Sequence, residues 1–452
     1  MAISILLTGC AAFFEAYKKR LTADKAIILI IIAGIIMRTG YMLYTNWTKR
    51  AYDVGFLDED GVGHGSYIIN NILQGHLPQS NEYQFYHPPL YYFLSAAAIK
   101  IAALFKHTVD YASLIKYAAA VSCAASCVTL VVIQKLMDTV SLKRKHQIAA
   151  MAIAAFFPNF ILMGGRVNND ALVTLFMMLS VYFTIRWFYS TSIKDIIFIA
   201  LSIGFGMMSK VSGGTVALFT GPVMLYKLYL AAKEKKIVYI IKQLAVFAVI
   251  CFPLALWYPI RNYIEFAQPL NYVCDLGENS HVYTGNISAI KRFFSVPLFE
   301  IFEKPYMNSS DDYSIFMIIT RTAVFGEFDY EGVSKIISIC LYFVNLIIII
   351  ASLAAMVVVC LKDKQRDWFS RFAMAAVWVI TFIPFLIFNI SYPYSCTADT
   401  RYIPLAVVSG MIYLSAAYEL YENSSSAVVK RIFFSGKWMI AAYCILSAVM
   451  YG

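Results

Sequence analysis

The chain has 452 residues, 60% of them apolar and 14% charged, with a mean hydropathy of +0.66. Soluble domains carry about 25% charged residues, so this composition excludes a soluble globular protein and predicts an all-α polytopic membrane protein. The formal net charge of +10 calls for no nucleic acid, because Lys and Arg concentrate in short loops, as expected of segments retained on the cytoplasmic side.

In chain order, apolar runs of about 18 residues occupy 26–44, 112–137, 148–164, 171–188, 193–208 and 211–228. Further runs follow at 238–258, 336–361, 372–390, 403–420 and 438–450. They predict a bundle of about 11 transmembrane helices. Lys18, Lys19, Arg20 and Lys25 place the N-terminus in the cytoplasm. Counting spans from there returns Lys143 to Lys145, Lys233 to Lys236, Lys362 to Arg366, and Lys430 with Arg431 to the same side of a plasma membrane.

Residues 1–452 read as a single transmembrane domain with two long outer loops, 46–111 and 259–335. Loops beyond about 15 residues in a compact protein tend to be functional. The stretch 88–105 opens on a Pro pair, carries Lys100 and ends at Lys106, which suits a helix lying in the membrane interface. If it crossed the membrane, Lys143, Arg144 and Lys145 would be forced outside. Six of the nine Cys lie in these runs and Cys10 in the short apolar stretch before them, and all seven read as small core residues.

The first outer loop, from YDVGFLDEDGVGHGSY to YHPPL, collects Asp53, Asp58, Glu59, Asp60, His64, Tyr67, Tyr86 and His87. Four later turns add Asp170 in GRVNND, Lys210 in MMSKVSGG, Arg261 in WYPIRNY, and Arg401 with Tyr402 in CTADTRYIP. All fall on the outer side by the same count. Ionisable groups at span ends are costly and mark function by default. A carboxylate beside a hydroxyl accepts its proton as attack develops. Arg and Lys neutralise a phosphate leaving group, the first as a bidentate fork and the second as a point charge.

Each residue also has a plainer role. Asp170 reads equally as a helix cap, Lys210 as a snorkelling lysine, Arg261 as a span-end anchor, and Arg401 as the ion-pair partner of Asp399. His64 and His87 show no metal-ligand spacing. A divalent cation on Asp53 and Asp170 would have only two acids for a cage.

The array resembles the GT-C superfamily of membrane glycosyltransferases, in the branch of the protein O-mannosyltransferases and the aminoarabinose transferases of lipid A. The matching features are Asp53 in the first outer loop, His87-Pro88-Pro89-Leu90 opening a surface helix, Asn169-Asp170, the GMMSK turn with Lys210, and Arg401-Tyr402 followed by Pro404. The resemblance implies a polyprenyl-phosphate sugar as donor, inversion at the anomeric carbon, and transfer to an envelope glycan, lipid or protein. It also implies Asp53 as base and the basic residues Lys210, Arg261 and Arg401 as lipid-phosphate ligands, with membrane lipid as the surroundings. By residue type, His64 and His87 suit hydrogen bonds to the donor phosphate or to a catalytic acid, and Tyr67, Tyr86 and Tyr402 suit a sugar face or the headgroup level equally. Relatives often carry an Asp-Glu pair where this chain has Asp53-Val54, so Asp58, Glu59 and Asp60 stand as alternative bases. An oligosaccharide ligase or polymerase would use nearly the same residues. A transporter or flippase would call for ionisable groups near midplane in repeated, broken halves.

Overall fold

The computed structural model describes residues 20–46, 54, 55, 57, 58, 61–270, 272–296, 302 and 312–452, together with Ser4, Thr8, Gly9, Glu15, Ala16 and Lys18. Among the described residues the fold is helical, and the strand-like pairing is one isolated bridge between Tyr283 and Tyr394. Among the described residues, eight helices are long and apolar enough to cross a membrane: Ala23–Tyr44, Ala112–Thr139, Asp170–Ser190, Val211–Lys233, Ile237–Phe266, Gly332–Lys362, Trp368–Ser391 and Ala427–Tyr451. A pair bent by 49°, Arg144–Phe156 and Pro158–Gly164, makes up to nine.

The eleven apolar runs therefore all fall on helices, but a count of eleven spans does not follow. Ile193–Ser209 and Pro404–Leu420 have 17 residues each, about 26 Å of rise against a hydrocarbon core of about 30 Å. The last helix starts at Ala427 rather than near residue 438, so Lys430 and Arg431 lie in its opening turns. Hydropathy marks the apolar middle of a helix, whereas backbone hydrogen bonding carries the helix on through its charged ends. Leu90–Lys106, predicted at the interface, is a 17-residue helix entered through Pro88-Pro89.

The chain divides into two compact units. The unit of residues 42–139 and 163–274 is assembled around the helices Asp170–Ser190, Ile193–Ser209 and Ile237–Phe266. The fully buried Trp187 donates its indole N–H to Gln243 Oε1 at 2.6 Å, and Gln243 Nε2 donates to Thr191 O at 2.7 Å. Thr184 and Thr220 pair their hydroxyls at 2.9 Å. The turn after Ser209 packs so closely that a Cβ on Gly213 would meet the Gly206 carbonyl carbon at 2.6 Å, which restricts residue 213 to glycine.

The unit of residues 1–41, 140–162 and 275–452 contains a helix break at Phe157-Pro158. Proline has no N–H, so the Ala154 carbonyl four residues back loses its helical donor. Arg38, fully buried, supplies the missing donors to Ala154 O at 3.0 Å and Ala155 O at 2.7 Å, while Ser447 Oγ donates to Phe156 O at 2.6 Å. At one end of this unit, ion pairs join Arg144 to Asp24 at 3.2 Å, Lys143 to Glu419 at 3.5 Å, Arg366 to Glu419 at 2.6 Å, and Lys145 to Glu422. The basic loops assigned to one side by charge thus meet acids of the neighbouring loops and of residue 24.

Candidate active site

The first outer loop closes on itself near residue 54. Gly55 and Gly63 have φ of +73° and +124°, and a Cβ on Gly63 would stand 2.6 Å from Val54 O. Only glycine fits such a left-handed, backbone-to-backbone approach. Ser66 donates to Gly61 O, and Asn70 Nδ2 donates to Asp58 O at 2.6 Å, so the loop carrying Asp58 is tied to the helical turn that follows. Asp53, Glu59 and Asp60 lie outside the described residues.

The glycine clasp leads into His64, whose Nδ1 is 2.8 Å from the Tyr92 hydroxyl. Tyr92 stacks on Tyr67 with ring centres 3.7 Å apart. The Tyr67 hydroxyl is 2.9 Å from that of Tyr258 and 3.1 Å from His87 O, and the Tyr258 hydroxyl is 3.1 Å from Phe85 O. Two phenolic protons therefore serve three acceptor positions. The His64 and His87 rings are parallel at 6.0 Å, and Tyr86 lies 4.1 Å from His87 and 5.3 Å from Tyr272. Burial pushes the Tyr67 and Tyr92 phenols well above the ordinary tyrosine range, with neighbouring phenols adding to it. Tyr91 is pushed up to about 12, first by burial and further by the carboxylate of Asp170. All three are neutral hydrogen-bonding groups at physiological pH.

Asp170 opens the Asp170–Ser190 helix, where a carboxylate is favoured by the helix dipole. The cap position belongs to Asn169, so Asp170 is not the cap. Its Oδ1 lies 2.5 Å from Lys210 Nζ, both side chains being largely buried. Asn169 Nδ2 donates to Ser209 O at 2.9 Å, and Asn168 Oδ1 accepts the Asp170 N–H at 3.3 Å. The NND turn and the residue before Lys210 are thus stitched together. Lys210 binds a carboxylate rather than snorkelling outward.

Arg261 pairs with Glu265 at 2.5 Å, donates to Pro78 O at 2.8 Å and to Asn262 Oδ1 at 3.1 Å, and lies over the rings of Tyr258 and Phe266. Asn262 Nδ2 donates to Tyr86 O at 3.2 Å. This corner anchors the outer loop to the end of the Ile237–Phe266 helix.

His64, Tyr67, Tyr86, His87, Asp170, Lys210 and Arg261 all belong to one unit, and Arg401 and Tyr402 to the other. There, Arg401 NH1 faces Glu327 Oε1 at 3.6 Å and its Nε faces Asp399 Oδ2 at 3.8 Å. Its NH2 donates to the Tyr402 hydroxyl at 3.2 Å. Glu327 and Tyr258 were not singled out by sequence, since a lone Glu in GEFD and a Tyr within an apolar span carry no pattern of their own. Among the described residues no group of three or more His, Cys, Asp or Glu is arranged to hold a metal ion. Asp170 meets an ammonium, whose charge opposes a cation on the same oxygen.

Residues 86–257 match the family described as Dolichyl-phosphate-mannose-protein mannosyltransferase. Across nearly the whole chain, the fold is that of the oligosaccharyltransferase AglB of Archaeoglobus fulgidus. One structure of it, in complex with an inhibitory peptide and a dolichol-phosphate, aligns at a TM-score of 0.53 and 11% identity over 96% of this chain and 56% of that one. In this segment and in its fold the chain is similar to membrane glycosyltransferases of the GT-C type. A second AglB structure, in complex with Zn and sulfate, aligns at a TM-score of 0.52 and 11% identity over 94% of this chain and 53% of that one. ArnT from Cupriavidus metallidurans in the apo state aligns at 12% identity over 87% of this chain and 76% of that one, with a TM-score of 0.35. No curated protein matches the chain significantly. The chain spans a little over half the length of AglB. The segment matching the mannosyltransferase family includes Tyr86, His87, Tyr92, Asp170 and Lys210.

Proposed function

We propose that this chain is an integral-membrane glycosyltransferase of the GT-C type that moves a sugar from a polyprenyl-phosphate donor to a glycan, lipid or protein acceptor on the extracytoplasmic side. The observation that carries the reading is the buried Asp170–Lys210 pair at the ends of two apolar helices. It lies electrostatically close to Tyr91 and Tyr92, within the segment that matches a family of dolichyl-phosphate-sugar-dependent enzymes. The dolichol-phosphate in the AglB complex supports a lipid phosphate as the donor's leaving half.

In the proposed reaction an acceptor oxygen attacks the anomeric carbon. The bond from that carbon to the phosphate oxygen breaks, and the electron pair leaves with the polyprenyl phosphate. The acceptor proton passes to Asp53, the proposed base. Attack opposite the departing phosphate inverts the anomeric centre. Lys210 meets the phosphate as a point charge; an ammonium has three donors, so contact with Asp170 and with a phosphate are compatible. Within the other unit, Arg401 and Tyr402 are proposed as ligands of a lipid phosphate. His64, Tyr67, Tyr86 and His87 are proposed as an aromatic and hydrogen-bonding surface for a sugar. The positive-inside pattern supports a cytoplasmic N-terminus in a plasma membrane.

The test is transfer by purified protein in lipid nanodiscs from a panel of synthetic polyprenyl-phosphate sugars, read by mass spectrometry of the released lipid phosphate. Sugar-dependent release that disappears in Asp170→Asn is the expected result. Absence of release from every donor, with unchanged lipid-linked sugar pools in cells lacking the protein, would overturn the reading.

A further inference from the structure

We propose that Asn159 is a positioning residue for Arg401, acting through Thr322 and Thr400. This rests on the reading of Arg401 as a phosphate ligand.

All the residues involved lie in one unit. The helix break leaves unmatched donors at the start of Pro158–Gly164, and the helix Ile315–Thr322 ends in unmatched carbonyls. Asn159 joins the two: its backbone N–H donates to Ala323 O at 3.2 Å and its Nδ2 to Thr322 O at 3.1 Å. The helix dipoles meet head to tail, which favours the contact. The same Thr322 accepts the Thr400 N–H on its Oγ1 at 2.9 Å and donates to Ile318 O at 2.8 Å, while Thr400 Oγ1 donates to Ile319 O at 2.5 Å. Asn159, Thr322, Asp399 and Thr400 are each at most 3% exposed.

Thr400 immediately precedes Arg401, whose own N–H is held by Asp399 Oδ1 at 2.9 Å. The chain leaving Thr322 also supplies Glu327, which faces the Arg401 guanidinium. Both the backbone of Arg401 and one of its carboxylate partners are therefore set by where Ile315–Thr322 ends, and Asn159 holds that end. Arg38 acts one step earlier, by capping the carbonyls freed at the bend that turns Asn159 toward Thr322.

The experiment uses full-length protein in nanodiscs and undecaprenyl monophosphate as probe, measuring both dissociation constant and binding stoichiometry. If the reading of Arg401 is right, Arg401→Gln weakens binding about tenfold, the loss of a charge-assisted contact. Asn159→Ala and Thr322→Val each weaken it about fivefold, one hydrogen bond's worth, with stoichiometry unchanged. Thr322→Ser, which keeps the hydroxyl, stays within about twofold of the parent. Added to Arg401→Gln, Asn159→Ala has less than about a twofold further effect, because both act on one contact. A role confined to folding would instead lower stoichiometry at an unchanged dissociation constant. That result, or effects that multiply in the double variant, overturns the role of Asn159. An unchanged constant in Arg401→Gln overturns the phosphate reading beneath it.

Discussion

Lys210 Nζ lies 2.5 Å from Asp170 Oδ1 although forty residues separate them in sequence. Both side chains are largely withdrawn from solvent, so removing one leaves a buried charge without its counter-ion. Lys210→Met is expected to cost about 3 kcal/mol of stability, whereas Asp170→Asn combined with Lys210→Met recovers most of that loss. Denaturant unfolding of the two variants checks this. A double variant no more stable than Lys210→Met would mean that the pair does not act as a unit.

Gly63 has φ of +124° and backbone atoms in the way of any Cβ, whereas Gly75 has φ of +90° with open space around it. Gly63→Ala is therefore expected to destabilise by about 2–3 kcal/mol and Gly75→Ala by about 1 kcal/mol. Thermal scans of the two variants decide the matter, and equal shifts would deny the clasp any special role.

Asp53→Asn should lower kcat by about 10²- to 10⁴-fold, the range of general base catalysis, with binding of polyprenyl phosphate and the melting temperature unchanged. Steady-state kinetics with the polyprenyl-phosphate sugar that the nanodisc panel selects supply the readout. Activity kept in Asp53→Asn would move the base to Asp58, Glu59 or Asp60, to be separated by the corresponding amides.

The Tyr394 hydroxyl and the Gly277 N–H both donate to Asp275 and hold its carboxyl below the usual carboxylate range. A depressed folded-state value means that the contact stabilises above the unfolded value of about 4 and weakens as pH falls below it. Tyr394 is pushed up to about 12, by burial first and by Asp275 second, so the phenol stays neutral through the physiological range. Protease cleavage within residues 275–295 is expected to accelerate below about pH 4. Tyr394→Phe should be cleaved faster at pH 7 and show a flatter acid response. An unaltered pH profile in that variant would remove Asp275 from the anchoring of this loop.

The helices were legible because hydropathy and backbone hydrogen bonding are local: a run of apolar residues has few other ways to satisfy its amides in lipid. All eleven runs fall on helices, and Asp170 and Lys210, singled out as polar residues at helix ends, prove to be partners. The basic loops that charge assigns to one side supply the ion pairs of Arg144 with Asp24 and of Lys143 and Arg366 with Glu419.

Pairing was not legible. Arg38 looks like an isolated charge inside an apolar run, and Pro158 like an ordinary interruption. Only the folded chain brings that guanidinium, 116 residues away, to the carbonyl that proline leaves without a donor. Arg261 and Arg401 are both candidate phosphate ligands in sequence, yet one ties down the Pro78 carbonyl and the other faces Glu327 as well as the neighbouring Asp399. Composition and periodicity by themselves determined a helical membrane protein with polar turns at its span ends, because transfer from water to lipid acts on each segment independently. Which buried charge meets which partner was decided only by tertiary structure, since the cost of a desolvated ion depends on a few ångströms of separation that no local pattern encodes.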